Sequence, residues 1–267
     1  TRMVEKNNKT DVVANEQLLR QLLVEEKIES FREYFLEIHP YDRAQFYERI
    51  GAEQRQILYR FLSPGEMADV FEAIDLEDDE YEEYLSEMDT SYVAAMLGFM
   101  YTDDAVDVLN ELDEDQRESY LEMMDTETVQ EINELLAYPE YTAGAIMTTE
   151  YVSITELSTV RSAMAVLRKK APDAETIYYL FVVNDMHQLT GVLSLRDLII
   201  SDEDCLVRDI MSERVVSVNV SEDQEAVAHI IKDYNFLAIP VIRDEKELLG
   251  IITVDDIIDV IDEEAED

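Results

Sequence analysis

The 267 residues are enough for two or three domains rather than one, and 47% hydrophobic residues with 15 Tyr and 8 Phe supply the apolar surface for real cores. The acidic excess is extreme: 63 Asp and Glu against 21 Lys and Arg give a formal charge of −42 and a pI near 4.1. A field of that sign repels nucleic-acid phosphates and anionic lipid head groups, attracts cations, and repels itself unless counter-ions screen it.

The single cysteine, Cys205, excludes an internal disulfide framework and suits a reducing compartment. The three histidines, His39, His187 and His229, are scattered, and no Cys/His cluster offers a zinc site. Asn219-Val220-Ser221 matches the glycosylation sequon but carries no meaning in a cytosolic chain. No apolar run nears the ~20 residues that span a bilayer, and no signal peptide is expected at the start.

In chain order, Thr1 to Asn15 are polar and without period, and are expected to form a flexible arm. Glu16 to Glu29 reads as a first helix, longer than its successors and in the role of a cap. Large apolar residues then recur every twelve positions at Ile38, Ile50, Leu62 and Ile74. After one step of fourteen they resume at Met88, Met100, Leu112, Met124 and Leu136. Turn or capping residues follow them: Pro40, Pro64, Asp89-Thr90, Thr102, Asp113 and Asp125-Thr126. Between markers the apolar positions fall at helical spacing, as in Val93, Met96, Leu97 and Met100. Each unit therefore predicts a helix of about two turns and a tight corner, and such short helices must stack on neighbours to persist. A helical superhelix over residues 16–138 is expected. Asp69, Asp103, Asp104 and Asp107 have no basic residue four positions away, which predicts a carboxylate patch without an internal partner.

From Ile146 the texture changes. Ile146-Met147-Thr148 recurs as Ile210-Met211-Ser212, each followed by a valine-rich strand at Val152–Ile154 and Val215–Val218. An amphipathic helix comes next, Thr159 to Ala171 and again Gln224 to Tyr234. Buried strands follow at Tyr178–Val183 and Ala238–Ile242, and then the turns Gly191-Val-Leu-Ser194-Leu-Arg-Asp197 and Gly250-Ile-Ile-Thr253-Val-Asp-Asp256. This β-α-β-β-α order, twice over, resembles the tandem CBS (cystathionine β-synthase) module across about residues 143 to 262. The resemblance implies two copies burying their sheets against each other in one globular unit, side-by-side dimerisation and ligand-controlled regulation. No Gly-rich phosphate loop, nucleophile elbow or acid–base pair argues for catalysis, and no enzyme is expected.

An acidic helical repeat joined to a CBS pair is similar to the cytosolic region of the MgtE family of magnesium transporters. The carriers are Thr142-Ala143-Gly144-Ala145-Ile146-Met147-Thr148, Ala171 through Tyr179, Gly191 through Asp197, and Thr253 through Asp256. The fold class so implied is α+β multidomain: an all-α superhelical repeat (16–138), a first CBS domain (139–203), a second (204–262), and at 263–267 the start of a helix toward a transmembrane domain. The resemblance further implies a homodimer and a pore domain in the full-length protein. It implies Mg2+ drawing the helical and CBS parts together to close that pore when internal Mg2+ is ample. Carried over position by position, the metal donors are Asp69, Asp103 and Asp107, the backbone carbonyl at Ala145, and Asp223, Glu225, Asn235, Asp256, Asp259 and Glu264. Asn235 stands where the family can carry an acid, with Lys232 nearby, and Asp256 and Asp259 lie three apart on one helical face.

Two other readings stay open. CBS pairs often hold adenosine nucleotides, and Ser194, Arg196 and Asp197 with Tyr179 or Phe236 as stacking rings give the first copy a full set for one, ATP included. In the second copy Asp255 stands in the basic position, which disfavours a phosphate there. Alternatively the helical repeat is an interaction scaffold, and its acids serve only solubility.

Overall fold

The computed structural model describes residues 16–74 and 78–266, and the expected arm at 1–15 lies outside them. The described chain divides into two compact units. One holds the residues up to Met100 together with Asp107–Val129, the other Tyr101–Val106 together with Gln130 onward.

The first unit is built from short helices: α1 (16–24), α2 (Ile28–Phe35), α3 (Pro40–Arg49), α4 (Ala52–Phe61), α5 (Pro64–Phe71), α6 (Asp78–Ser86), α7 (Thr90–Leu97), the later part of α8 (Thr102–Asn110), whose first residues belong to the second unit, and α9 (Glu114–Leu121). Every second helix packs on the last, α3 on α5, α5 on α7 and α7 on α9, as a stacked repeat requires. The twelve-residue markers are where helices end. The amide of Ile50 donates to the carbonyl of Tyr47, Leu62 to Leu58, Ile74 to Phe71, Met100 to Met96 and Leu112 to Leu109, and these five side chains are buried. Ser63 and Asp113 start α5 and α9 with reciprocal capping boxes.

The expected long first helix is instead two. The chain breaks after α1, where Glu26 takes a left-handed φ of 52°, and restarts at Ile28. A second departure is the use of arginine. Arg43, Arg55 and Arg117 each stand five residues beyond a marker and donate to that marker's carbonyl, at Ile38 (3.0 Å), Ile50 (2.7 Å) and Leu112 (3.3 Å). Helix C-termini leave carbonyls without intrahelical donors, and the guanidinium supplies them. Arg55 also forms a buried bidentate pair with Glu87 at 2.6 and 2.8 Å. The Tyr59 hydroxyl donates to Glu87 at 2.7 Å and meets the Tyr47 hydroxyl at 2.6 Å, and the Tyr84 ring lies 4.7 Å from the guanidinium.

In the second unit, after α10 (Thr126–Leu136), the two β-α-β-β-α copies appear in the expected order. The first is β1 (Ser153–Thr155), α11 (Val160–Lys170), β2 (Tyr179–Val183), β3 (Leu189–Ser194) and α12 (Leu195–Ile200). After α13 (Val207–Ile210) the second is β4 (Val218–Asn219), α14 (Gln224–Tyr234), β5 (Ala238–Arg243), β6 (Glu247–Thr253) and α15 (Val254–Glu266). Each copy pairs its first strand parallel to the second and the second antiparallel to the third. Val215 and Val216, expected in a strand, lie in the loop before β4.

Phe181, Val183, Leu189, Ala238, Leu248 and Ile251 form one buried cluster drawn from both sheets, so the copies share a core. The linkers tie them further by crossing over. Thr148, ahead of the first copy, exchanges two backbone hydrogen bonds with Ile251 of β6, at 2.8 and 3.0 Å. Ser212, ahead of the second, exchanges two with Val192 of β3, at 2.9 and 3.0 Å. Ala143 and Met147 accordingly sit in the second copy's core, while Met211 packs against the first. The two glycines of the repeated turn exist for this crossing: a Cβ at Gly250 would lie 2.5 Å from the Thr148 carbonyl, and one at Gly191 2.5 Å from Met211 Sδ.

Candidate functional site

The repeated strand-to-helix turn holds the chemistry, and its two versions differ. In the first copy Ser194 caps α12, its Oγ accepting from the Asp197 amide at 3.0 Å, and both Arg196 and Asp197 are exposed. Tyr179 lies opposite Ser194 in the β2–β3 register, and packs on the shared cluster that includes Ala238. Phe236, two residues ahead of Ala238, is half-buried and stacked on Tyr234 with centroids 5.2 Å apart. The turn thus offers a hydroxyl, a guanidinium, a carboxylate and aromatic faces to solvent.

In the second copy Asp256 folds back, its Oδ2 accepting from both the amide and the hydroxyl of Thr253 at 2.8 Å. Burial raises its pKa against the pull of those donors. Two more carboxylates converge on this turn. The Glu175 amide donates to the Glu150 carbonyl at 2.9 Å, and Glu150 accepts from the Thr148 hydroxyl at 2.7 Å and the Thr102 amide at 3.1 Å. The Glu175 Oε2 is buried with no hydrogen-bond partner among the described residues. Burial first, then the charge of Asp256, push Glu175 up to about 7, against the hydroxyls of Thr253 and Thr148. Among the described residues no salt bridge neutralises these three acids. A phosphate is unwelcome here, whereas a proton or a cation is favoured. Of this set, the sequence singled out Thr253 and Asp256 and missed Glu150 and Glu175; Glu175 lay in the stretch Ala171–Tyr179 and Glu150 carried no signal.

The profile of the MgtE intracellular N domain matches residues 38–141, and that of the CBS domain matches residues 143–203 and 207–263. Magnesium transporter MgtE of Enterococcus faecalis is 54% identical over 93% of this chain and 55% of its own length. A crystal structure of the soluble part of a magnesium transporter is 52% identical with a TM-score of 0.93, covering 95% of this chain and 99% of that one. The cytosolic domain of the Mg2+ channel MgtE in complex with ATP is 38% identical with a TM-score of 0.83, covering 91% of this chain and 98% of that one. The chain belongs to the MgtE family. It spans about half the length of the curated relative it matches; these relatives are transporters, not enzymes, and among the described residues no helix is long and apolar enough to cross a membrane.

The remaining donors that the family resemblance implied are spread through the fold. Asp69 on α5 lies 3.9 Å from Arg43, so its expected lack of an internal partner is corrected. Asp103, Asp104 and Asp107 on α8 likewise have interactions of their own, and Asp103 is buried. The linker Thr142–Ala145 is stitched to the second copy, with Ala143 donating to Glu222 and Gly144 to Val220, and Thr142 bridged to Asp223. This brings the Ala145 backbone into the neighbourhood of Asp223, which caps α14 by accepting from the Glu225 amide at 2.9 Å. Asn235 closes α14 in a left-handed conformation and is exposed. The side chains of Asp259 and Glu264 lie outside the described residues. Among the described residues no three His, Cys, Asp or Glu side chains stand together as a metal cage.

Proposed function

We propose that this chain is the Mg2+-sensing regulatory part of a magnesium transporter, on the cytoplasmic side of a cell membrane. Mg2+ collected by the acids of the helical repeat and of the CBS pair screens their repulsion, draws the assembly closed and shuts a pore formed elsewhere in the full-length protein. The observation that carries this reading is the acid excess of the chain, −42 overall, with Glu150 and Asp256 near enough to Glu175 for their charges to act on it. Mg2+ keeps several waters and takes one or two carboxylates, so sparse donors such as the Ala145 carbonyl and Asp223 suit it better than a cage. A homodimer through the CBS pair fits Ile199 and Ile200 on α12 and Ile258 and Ile261 on α15, all exposed.

Solution scattering of the chain with and without millimolar Mg2+ tests the proposal. The radius of gyration should fall with Mg2+, and residues 139–148 should become protected from protease, while Na+ at equal ionic strength does neither. Equal effects of the two salts would leave only screening and defeat the sensing role.

A second reading coexists with the first. The first-copy turn, with Tyr179, Ser194, Arg196, Asp197 and Phe236, takes an adenine nucleotide, as the relative solved with ATP suggests. Calorimetry should register heat with ATP that Arg196→Ala abolishes, and heat unchanged by that substitution would place the nucleotide elsewhere or nowhere.

A further inference from the structure

The residue before each twelve-residue marker is charged at Glu37, Arg49, Glu87 and Glu111, small at Ala73, and buried at Phe61 and Leu135. Phe99 and Met123 break that pattern: both are large and apolar, yet 68% and 58% exposed. They are two repeats apart, following α7 and α9, which pack on each other, so they stand side by side. Between them runs a groove of about 410 Å³ with small residues Ser91, Ala94, Ala95 and Gly98 along one side. The Phe99 ring rests over Gly65, 3.4 Å from where a Cβ would be.

The charged residues that flank this apolar groove along the chain are mostly acidic. Asp89, Glu122, Asp125 and Glu127 on the same two segments are exposed, and Arg117 is the only basic residue between Phe61 and Val160. Its guanidinium is held by the carbonyls of Leu109 and Leu112, and one cation leaves these acids in excess. A desolvated apolar anchor inside an acidic rim selects its partner by complementarity. Nucleic acid and anionic lipid are repelled, and a second copy of a chain at −42 brings the wrong sign.

We propose that the groove between Phe99 and Met123 docks a cationic amphipathic helix of a protein partner, its large apolar side chains seated between those two residues and its Lys or Arg facing the acids. The proposal does not depend on Mg2+ sensing, and its test is run with chelator present.

The probe is a fluorescent synthetic Leu/Lys helix of about four turns, patterned with one apolar face, titrated with the whole chain and read by anisotropy. Its control is the same composition scrambled, which keeps the charge and loses the face. The patterned peptide should bind at least about tenfold more tightly, and Phe99→Ser with Met123→Ser should remove that difference while leaving the scrambled peptide's weak, salt-sensitive binding unchanged. Both side chains are exposed, so circular dichroism should show the double variant folded as before. Equal binding of the two peptides, or a preference that survives the double substitution, overturns the proposal. Self-association of the chain that the double substitution abolishes would assign the groove to a second copy and overturn it as well.

Discussion

Glu175→Gln should stabilise the CBS pair at neutral and alkaline pH and leave it unchanged in acid. The Glu175 carboxyl is raised from 4.5 to about 7, the reverse of a carboxylate held by a cation. Between those two values the folded state keeps a proton that the unfolded chain releases. Stability therefore falls as pH rises through the window, and the loss is complete above about 7. A difference of about 2.5 units at 1.36 kcal/mol each sets the ceiling near 3 kcal/mol. Glutamine keeps the shape and removes the charge, and its amide can donate toward the Asp256 and Glu150 carboxylates. Urea unfolding of parent and variant across the window measures this directly, because pH effects from all other groups cancel in the difference. The curves should coincide in acid and separate to about 3 kcal/mol by about pH 8. Parallel curves, or a variant weaker throughout, would refute the idea that Glu175 is held against its charge.

Glu87→Gln strands the buried Arg55 guanidinium and should cost about 3–5 kcal/mol in thermal unfolding of the helical repeat. Arg55→Met with Glu87→Leu should recover most of it, since an apolar replacement leaves no orphan charge. Gly250→Ala forces the Thr148 carbonyl away and should cost about 1–3 kcal/mol, with faster proteolysis between Ala145 and Thr149. Gly191→Ala should cost less in the same assays, because its nearest obstacle is the flexible end of Met211 and the Ser212 carbonyl is 3.1 Å away.

The twelve-residue spacing located helix ends well because the markers perform the closing themselves: their amides complete the last turn and their side chains fill the core. The arginines five residues on were present in the same repeat, but their partner is a backbone carbonyl, and no residue pattern advertises a carbonyl. The break at Glu26 was hidden for a different reason. Glu25, Glu26 and Lys27 are good helix formers, so local preference gives no sign of the left-handed turn at Glu26. The CBS order was legible from strand and turn texture, including the Ser194 and Thr253 turns. The carboxylate cluster was not, since Glu150 and Glu175 lie twenty-five residues apart and become neighbours only through β1 and β2. Their burial, and with it the raised Glu175, is a tertiary property.

The crossed linkers decide how the pair must unfold. The first copy's own linker, Ala143 to Thr148, spends its apolar side chains on the second copy's core, and Thr148 completes the edge of β6. The second copy's linker returns the exchange, with Val207 buried in the first core and Ser212 on the edge of β3. Residues 139–203 expressed alone would therefore lack Val207 and Met211 and expose Ala143 and Met147, while the cluster around Phe181 and Ile251 would lose half its members. A chain of that size has little core to spare. The isolated half should show no cooperative transition by circular dichroism and poor dispersion of its amide resonances, whereas residues 130–267 should melt in one step. A folded, cooperative isolated half would mean that each copy closes its own core and that the crossings are ornament. If the half is unfolded, a ligand bound at the Ser194–Asp197 turn acts on one cooperative body that also contains the Glu150, Glu175 and Asp256 carboxylates. Occupancy of one turn can then bias the other without any further device.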